Sequence, residues 1–265
     1  MLRVGLLLLV ACAGADAMTV APPSAPKAAP GVEIGLSPGE NMAFEIRIAG
    51  MLAGEAQLAV GALGDYQGHR AVVVKSHAAT AGAVALIKHV VDDATTVIDM
   101  QTGLPLALDT LVEQGDTKTT ATAKLTGSHA EITYVRSDEK APRTFKLEFG
   151  NITVHDSHSA MAQLRGWRAA PGTTRTVFII GGRRLWRVDV TFAGNDTVSS
   201  PIGNQRAVRF TGTAFRTNRQ LEPETDKPTR TFSVWLSDDA DRVPLKVTAT
   251  TELGEIAMDL VEYSR

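Results

Sequence analysis

Two imidazoles flank a carboxylate in His155-Asp156-Ser157-His158. Imidazole and carboxylate groups suit zinc, and a catalytic zinc takes three such ligands plus water. The same residues also read as a helix start, with Asp156 or Ser157 as N-cap and two exposed histidines beside it. No second His or Glu cluster lies nearby in the chain. His155, Asp156 and His158 are therefore a metal candidate, with the cap as the simpler account. Asp238-Asp239-Ala240-Asp241 offers carboxylate oxygens for calcium, but it lacks the glycine and distal glutamate of a calcium loop. An acidic hairpin turn between Trp235-Leu236 and Pro244-Leu245 explains it better.

Nucleophilic chemistry finds little support. There is no Gly-x-Ser-x-Gly elbow, no glycine-rich phosphate loop of Walker or Rossmann spacing, and the one cysteine is Cys12, near the N-terminus. A glycosidase pair among the scattered acids is not legible, because sequence does not show which carboxylates converge. No catalytic residue is assigned and no cofactor is called for, so the chain leans away from an enzyme.

Arg165, Arg168, Arg175, Arg183, Arg184 and Arg187 give the middle of the chain a basic bias. They offer a patch for an anionic ligand, or else they occupy the wet face of a half-exposed sheet. Apolar candidates for a ligand-lining surface are Phe178, Ile180, Trp186, Val188, Phe192 and Trp235, with Arg183 and Arg184 as polar partners. The formal net charge is −2 and the pI is near 6.3. That balance gives no general pull toward nucleic acid.

The elements that must position these groups are mostly strands. Phe44, Ile46 and Ile48 alternate with Glu45 and Arg47, which places them on one face. Arg70–Ser76, Thr95–Asp99, Leu106–Val112, Thr119–Leu125, Glu131–Val135 and Thr144–Phe149 continue the series. Thr176–Ile180, Gly181-Gly182 and Arg183–Phe192 predict a hairpin with a two-glycine turn. Two helices are predicted, over Ala81–Val91 and over Ser157–Trp167. The second buries Met161 and Leu164 against a sheet.

An internal echo links the halves. Pro38-Gly39-Glu40 matches Pro171-Gly172-Thr173. Gly68-His69-Arg70-Ala71-Val72 matches Asn204-Gln205-Arg206-Ala207-Val208. Asp99 with Leu104-Pro105 matches Asp238 with Val243-Pro244. The reading is one β-rich domain over 38–265, with related halves at about 38–150 and 171–265. The fold class is mainly β: a long curved antiparallel sheet, half-barrel or open barrel, with one or two short helices.

Residues 1–17 read as an export signal: Met1-Leu2-Arg3, a Leu-rich run, then small residues. Cleavage falls either before Cys12, which sits in a lipobox-like Leu9-Val10-Ala11-Cys12 and would carry the lipid, or after Ala15 or Ala17. The run is shorter than the roughly 20 apolar residues that span a bilayer. Residues 18–37 are rich in Pro and Ala and form a tether.

The run Pro38 to Val60, with Pro38-Gly39-Glu40, Gly50 and Ala53-Gly54-Glu55, resembles the opening of the bacterial domain of unknown function 3108 family. Ile98-Asp99 with Leu104-Pro105, Asp156 with Leu164-Arg165, and Val234-Trp235-Leu236-Ser237-Asp238-Asp239 with Arg242-Val243-Pro244 are similar to that family in the same order. The resemblance implies an exported, β-rich envelope protein and carries over no catalytic residue. The function expected is non-enzymatic: an envelope protein, periplasmic or tethered to the outer membrane, whose curved sheet binds a lipid, a lipoprotein or a similar amphipathic ligand. Alternatives are an envelope scaffold that binds peptidoglycan or another envelope polymer, and a metal- or carboxylate-dependent envelope hydrolase.

Overall fold

Alternation of apolar and polar residues buries one face of each long strand. In Asn41–Ile48, Met42, Phe44 and Ile46 are buried while Asn41 is exposed. The computed structural model describes residues 34–265 except 183, 219, 225, 252 and 253, so Cys12, the expected export signal over 1–17 and most of the expected tether over 18–37 lie outside the described residues. The elements are β1 (Asn41–Ile48), β2 (Met51–Tyr66), β3 (His69–Thr80), α1 (Gly82–Ile87), β4 (Val90–Asp99), β5 (Pro105–Gln114), β6 (Thr117–Leu125), β7 (His129–Arg136), β8 (Arg143–Glu148), β9 (Val154–His155), α2 (Ser157–Gly166), β10 (Thr174–Gly181), β11 (Arg184–Ser200), β12 (Gly203–Arg216), β13 (Arg230–Ser237), β14 (Pro244–Thr251) and β15 (Gly254–Ser264).

All fifteen strands lie in one sheet, ordered β8-β7-β6-β5-β4-β3-β2-β1-β15-β14-β13-β12-β11-β10-β9. Two meanders, β1 to β8 and β10 to β15, meet where β1 pairs antiparallel with β15, from Asn41↔Ser264 to Ile48↔Ile256. Only the short β9–β10 pair is parallel among these ladders. The chain passes from the first meander to the second through α2. Echoed residues fall at matching places: Pro105 opens β5 and Pro244 opens β14. A side-chain contact ties each strand-end acid to the start of a neighbouring strand, a His69–Asp99 hydrogen bond at 2.9 Å and an Arg206–Asp238 ion pair at 2.7 Å.

The sheet is open, with β8 and β9 as its two edges. Register shifts at Ile46/Arg47, Val60/Leu63 and Phe192/Gly194 bend it, since a bulge raises local twist. Packing shows where the bending leads. Adjacent strand residues point to opposite faces, yet in β10 both sides are covered. Ile179 packs with the cluster holding Phe44, Val188 and Phe210. Ile180, with Leu185 and Val154, packs with Ala94, Leu108, Ala123 and Ile132 of the first meander. The sheet therefore coils so that its β9–β10 end is tucked against the inner face of β4 to β7. It overlaps itself instead of closing edge to edge.

The predicted helix over Ala81–Val91 is corrected to the single short turn of α1. Ala81 provides no side-chain cap, Lys88 is already extended, and none of the six helical residues is buried. Val90 and Val91, β-branched and favouring strand, belong to β4. The second helix is Ser157–Gly166, capped by Asp156.

Candidate functional site

α2 lies against the inner face of the coil and is held by polar side chains at both ends. At its start, Asp156 accepts hydrogen bonds from the backbone N–H of His158 (3.1 Å) and of Ser159 (2.9 Å), while the Ser159 hydroxyl accepts from the Asp156 N–H (3.0 Å). This reciprocal box satisfies orphan donors of the first turn. Thr96 of β4 donates its hydroxyl hydrogen to Asp156 Oδ2 at 2.5 Å. That hydrogen is then committed, so His158 Nδ1, 2.8 Å from the same hydroxyl, carries the ring proton and donates. His158 Nε2 meets Ser76 Oγ of β3 at 2.6 Å.

Ser76, His158 and Asp156 are three groups of the kind that build a serine hydrolase. Their surroundings point elsewhere. Asp156 Oδ2 stands 3.6 Å from His158 Nδ1, with Thr96 bridging them. Ser76 is buried mid-strand and pairs with both Leu58 and Ala94, so the local backbone is occupied by the two ladders. An oxyanion hole needs free donors aimed at a reacting atom, and this stretch of ladder supplies none. The cluster clamps the helix to the sheet. Burial pushes the neighbouring His155 below its ordinary pKa, against an opposing pull from Asp156.

At the other end of α2, Arg165 forms a two-pronged ion pair with Glu40, Nη1–Oε2 at 2.9 Å and Nη2–Oε1 at 2.6 Å. Both side chains are essentially inaccessible, at 2% and 0% exposure. The remaining capacity is used: Arg165 donates to the carbonyls of Asp241 and Arg242, and Glu40 accepts from Tyr263 and from the Ser37 N–H. Gly35 passes so close that a Cβ there would stand 2.2 Å from Arg165 Cβ. One end of the coil is thus plugged by α2, the residues before β1 and the β13–β14 turn.

Toward α1 the inner face carries Asp92, on the same face of β4 as Ala94 and Thr96. Asp92 is 5% exposed and its Oδ1 has no hydrogen-bond partner. Burial, with a smaller push from the charge of Asp93, raises its pKa to about 8. Beyond Ser76 and Thr96, the inner face of β4 to β7 carries Ala94, Ala121, Ala123 and Ala130 with Leu108, Leu125 and Ile132. The β9–β10 end covers part of it. A hollow of about 440 Å³ lies on the opposite, outer face of β11 to β15, lined by groups such as Asp189, Thr191, Thr213 and Thr231.

The model of the family described as a protein of unknown function, DUF3108, matches residues 43–261. The chain belongs to the DUF3108 family. No curated protein matches it in sequence. Among solved structures, a beta-barrel-like protein of domain of unknown function DUF1849 from Brucella abortus is similar, with a TM-score of 0.58 at 11% identity, covering 85% of this chain and 96% of that one. That likeness concerns the fold alone. An exported-protein candidate with a YmcC-like fold from Bacteroides fragilis aligns with a TM-score of 0.38 at 9% identity, covering 86% of this chain and 97% of that one. A lipoprotein candidate from Parabacteroides distasonis aligns at 0.36 and 8% identity, covering 88% and 99%. Among the described residues no helix is long and apolar enough to cross a membrane.

The residues singled out from this DUF3108 sequence scatter. Trp186 and Phe192 are buried on the inner face of β11, Phe192 with its ring centre 5.1 Å from that of Phe210. Arg230 lies over the Trp186 ring, 5.1 Å from its centre. Phe178 packs at the tucked end of the sheet. Trp235 points to the other face from Val234 and Leu236: its indole N–H donates to Asp196 at 2.8 Å, and Arg209 lies 4.9 Å from the ring centre. Arg184 is half-buried at the start of β11, and Arg183 is outside the described residues. The arginines do not form one patch: Arg165 is buried, Arg168 donates to the Arg165 carbonyl, Arg175 covers Trp167 and Arg187 pairs with Asp189.

His155 and His158 are buried, not exposed. With Asp156 they are engaged by Ser159, Ser76 and Thr96, and among the described residues no three His, Cys, Asp or Glu side chains form a metal-holding group. The metal reading gives way to the helix clamp. The acids of 238–241 likewise turn to separate partners, Arg206 for Asp238, the Ser237 hydroxyl for Asp239 and Arg265 for Asp241.

Proposed function

We propose that this is a non-enzymatic, exported envelope protein that binds a lipid or similar amphipathic ligand on the inner face of its coiled sheet. One observation carries the reading: the β9–β10 end rests on the inner face of β4 to β7 through apolar side chains, with no ladder between β8 and β9 among the described strands. Apolar contact is non-directional. An acyl chain that replaces Phe178, Ile180 and Leu185 on that face therefore substitutes one apolar contact for another and breaks no edge-to-edge hydrogen bonds between β8 and β9.

Three further features support it. The alanines of β4, β6 and β7 put short apolar side chains on that floor beneath the cover. Asp92, neutral below about pH 8, sits on the same face without the cost of a buried charge. The Glu40–Arg165 and His158 clamps hold α2 in place, so the apolar cover is the part of the inner contact without polar side-chain clamps of that kind. Lipoprotein anchoring through Cys12 and residence in the periplasm or at the outer membrane belong to the same proposal.

Native mass spectrometry of the protein purified from its own envelope, before and after addition of a lysophospholipid, tests it. A mass shift of one amphiphile is expected. A clean apo mass in both samples overturns the proposal.

A further inference from the structure

The end of the coil away from α2 carries an apolar tip that the ligand-binding reading does not use. α1 has the sequence Gly-Ala-Val-Ala-Leu-Ile and buries none of its residues. Leu86 is 91% exposed and Ile87 is 88% exposed. Beside them, across the β1–β2 turn, Met51 is 68% exposed and Leu52 is 37% exposed. The two segments are joined: the Ala81 N–H donates to the Ala53 carbonyl at 3.0 Å, and a Cβ on Gly82 would stand 3.8 Å from the Leu52 carbonyl oxygen.

A helix this short is not stable in water on its own, and scattered single apolar residues are the norm for exposed surface. Four large ones gathered at a protruding tip, two of them almost fully bare, are not. The size of the patch limits what covers it. A stable protein interface uses about 20 to 30 residues a side, whereas this tip offers four large apolar side chains on a convex end. A wedge of that shape fits the acyl region just below lipid headgroups, where amphipathic segments bury a few large side chains. Charge agrees. Lys88 and His89 follow the helix directly. Long basic side chains next to an apolar wedge reach back to anionic headgroups.

We propose that Met51, Leu52, Leu86 and Ile87 insert into the surface of a bilayer bearing anionic headgroups, with Lys88 at the headgroup level. The attachment is independent of any lipid on Cys12, and it orients the coil with its unplugged end toward the membrane. It extends the ligand-binding proposal by naming where the amphiphile is met, yet it stands or fails separately.

The test uses the full chain as Cys12→Ser, so that no lipid anchor contributes, in flotation with phosphatidylglycerol vesicles and with phosphatidylcholine vesicles. The protein is expected to float with phosphatidylglycerol and less with phosphatidylcholine. Leu86→Gln/Ile87→Gln is expected to lower the bound fraction about tenfold or more, because two bare side chains lose their apolar transfer, with an unchanged melting temperature since neither residue is buried. Lys88→Glu is expected to remove the preference for the anionic vesicle. Equal flotation of the double glutamine variant, or no flotation of the parent, overturns the proposal. So does a concentration-dependent dimer that the double variant abolishes, which would assign the tip to a second copy of the chain. An amphiphile mass shift retained by the double variant separates this result from failure of the ligand-binding reading.

Discussion

Asp92 and the Glu40–Arg165 pair show two ways of placing charge inside an apolar coil. Glu40 and Arg165 form a two-pronged ion pair, and their remaining atoms also find partners. Asp92 has no such partner and is held neutral by burial. Its effect on stability has a definite sign. Between about pH 4 and pH 8 the folded protein keeps the Asp92 proton while the unfolded chain has released it, so stability falls as pH rises through that window and levels off above it. The fall is at most about 1.4 kcal/mol per pH unit. Asp92→Asn, a neutral near-isostere, is expected to flatten this contribution, raising stability at about pH 8 and changing it little near pH 4. Urea midpoints across that range check it. Single residues were the least legible part of the sequence. Asp156 was readable as a cap because its partners are two and three residues away. Ser76 and Thr96 were not readable as partners of His158, since the contacts join positions 82 and 62 residues apart. Glu40 and Arg165 stood in family-like segments, but nothing local says that they meet across 125 residues.

The element scale is governed by how each helix is anchored. α2 has a capping box at one end and a buried guanidinium at the other, while α1 has neither. Removing the guanidinium leaves Glu40 buried with a charge only Tyr263 and the Ser37 N–H still face. Arg165→Met is therefore expected to cost about 3–5 kcal/mol, and adding Glu40→Leu to recover much of that loss, as an ion pair removed whole is less damaging than one halved. A shift in urea midpoint at constant slope measures both. Sequence periodicity found the strands because the two-residue alternation is direct. It found α2 because a cap, an apolar face and a terminal glycine agree. It overextended α1, where turn-spaced Val84, Ile87 and Val91 mimic a helix face. Val91 instead pairs with Ala79 and Glu113 in the ladder, and the helical residues find no surface to pack on. Tertiary pairing overrode local spacing there.

At the scale of the whole molecule, the run of alternating strands made a single β-rich sheet legible, and the β1–β15 pairing joins its two meanders. The overlap of the two sheet ends was not legible. It depends on both faces of β10 and the start of β11 being apolar, and Phe178-Ile179-Ile180 reads from sequence as an ordinary buried strand. That overlap gives the coil an apolar cover over its inner face, and the ligand-binding proposal rests on it. A tryptophan placed at the cover offers a direct test, because Phe178 packs on the β4–β7 face, whereas Trp186 packs on the opposite face of the β10–β11 pair and Trp235 lies on the outer face of the coil. Two single-tryptophan proteins, one carrying Phe178→Trp with all three native indoles replaced by Phe and one keeping Trp235 alone, are titrated with a lysophospholipid brominated on its acyl chain, a short-range fluorescence quencher. The account predicts saturable quenching of the indole at position 178 with little change at Trp235. Quenching of Trp235 alone, or of neither, would contradict it.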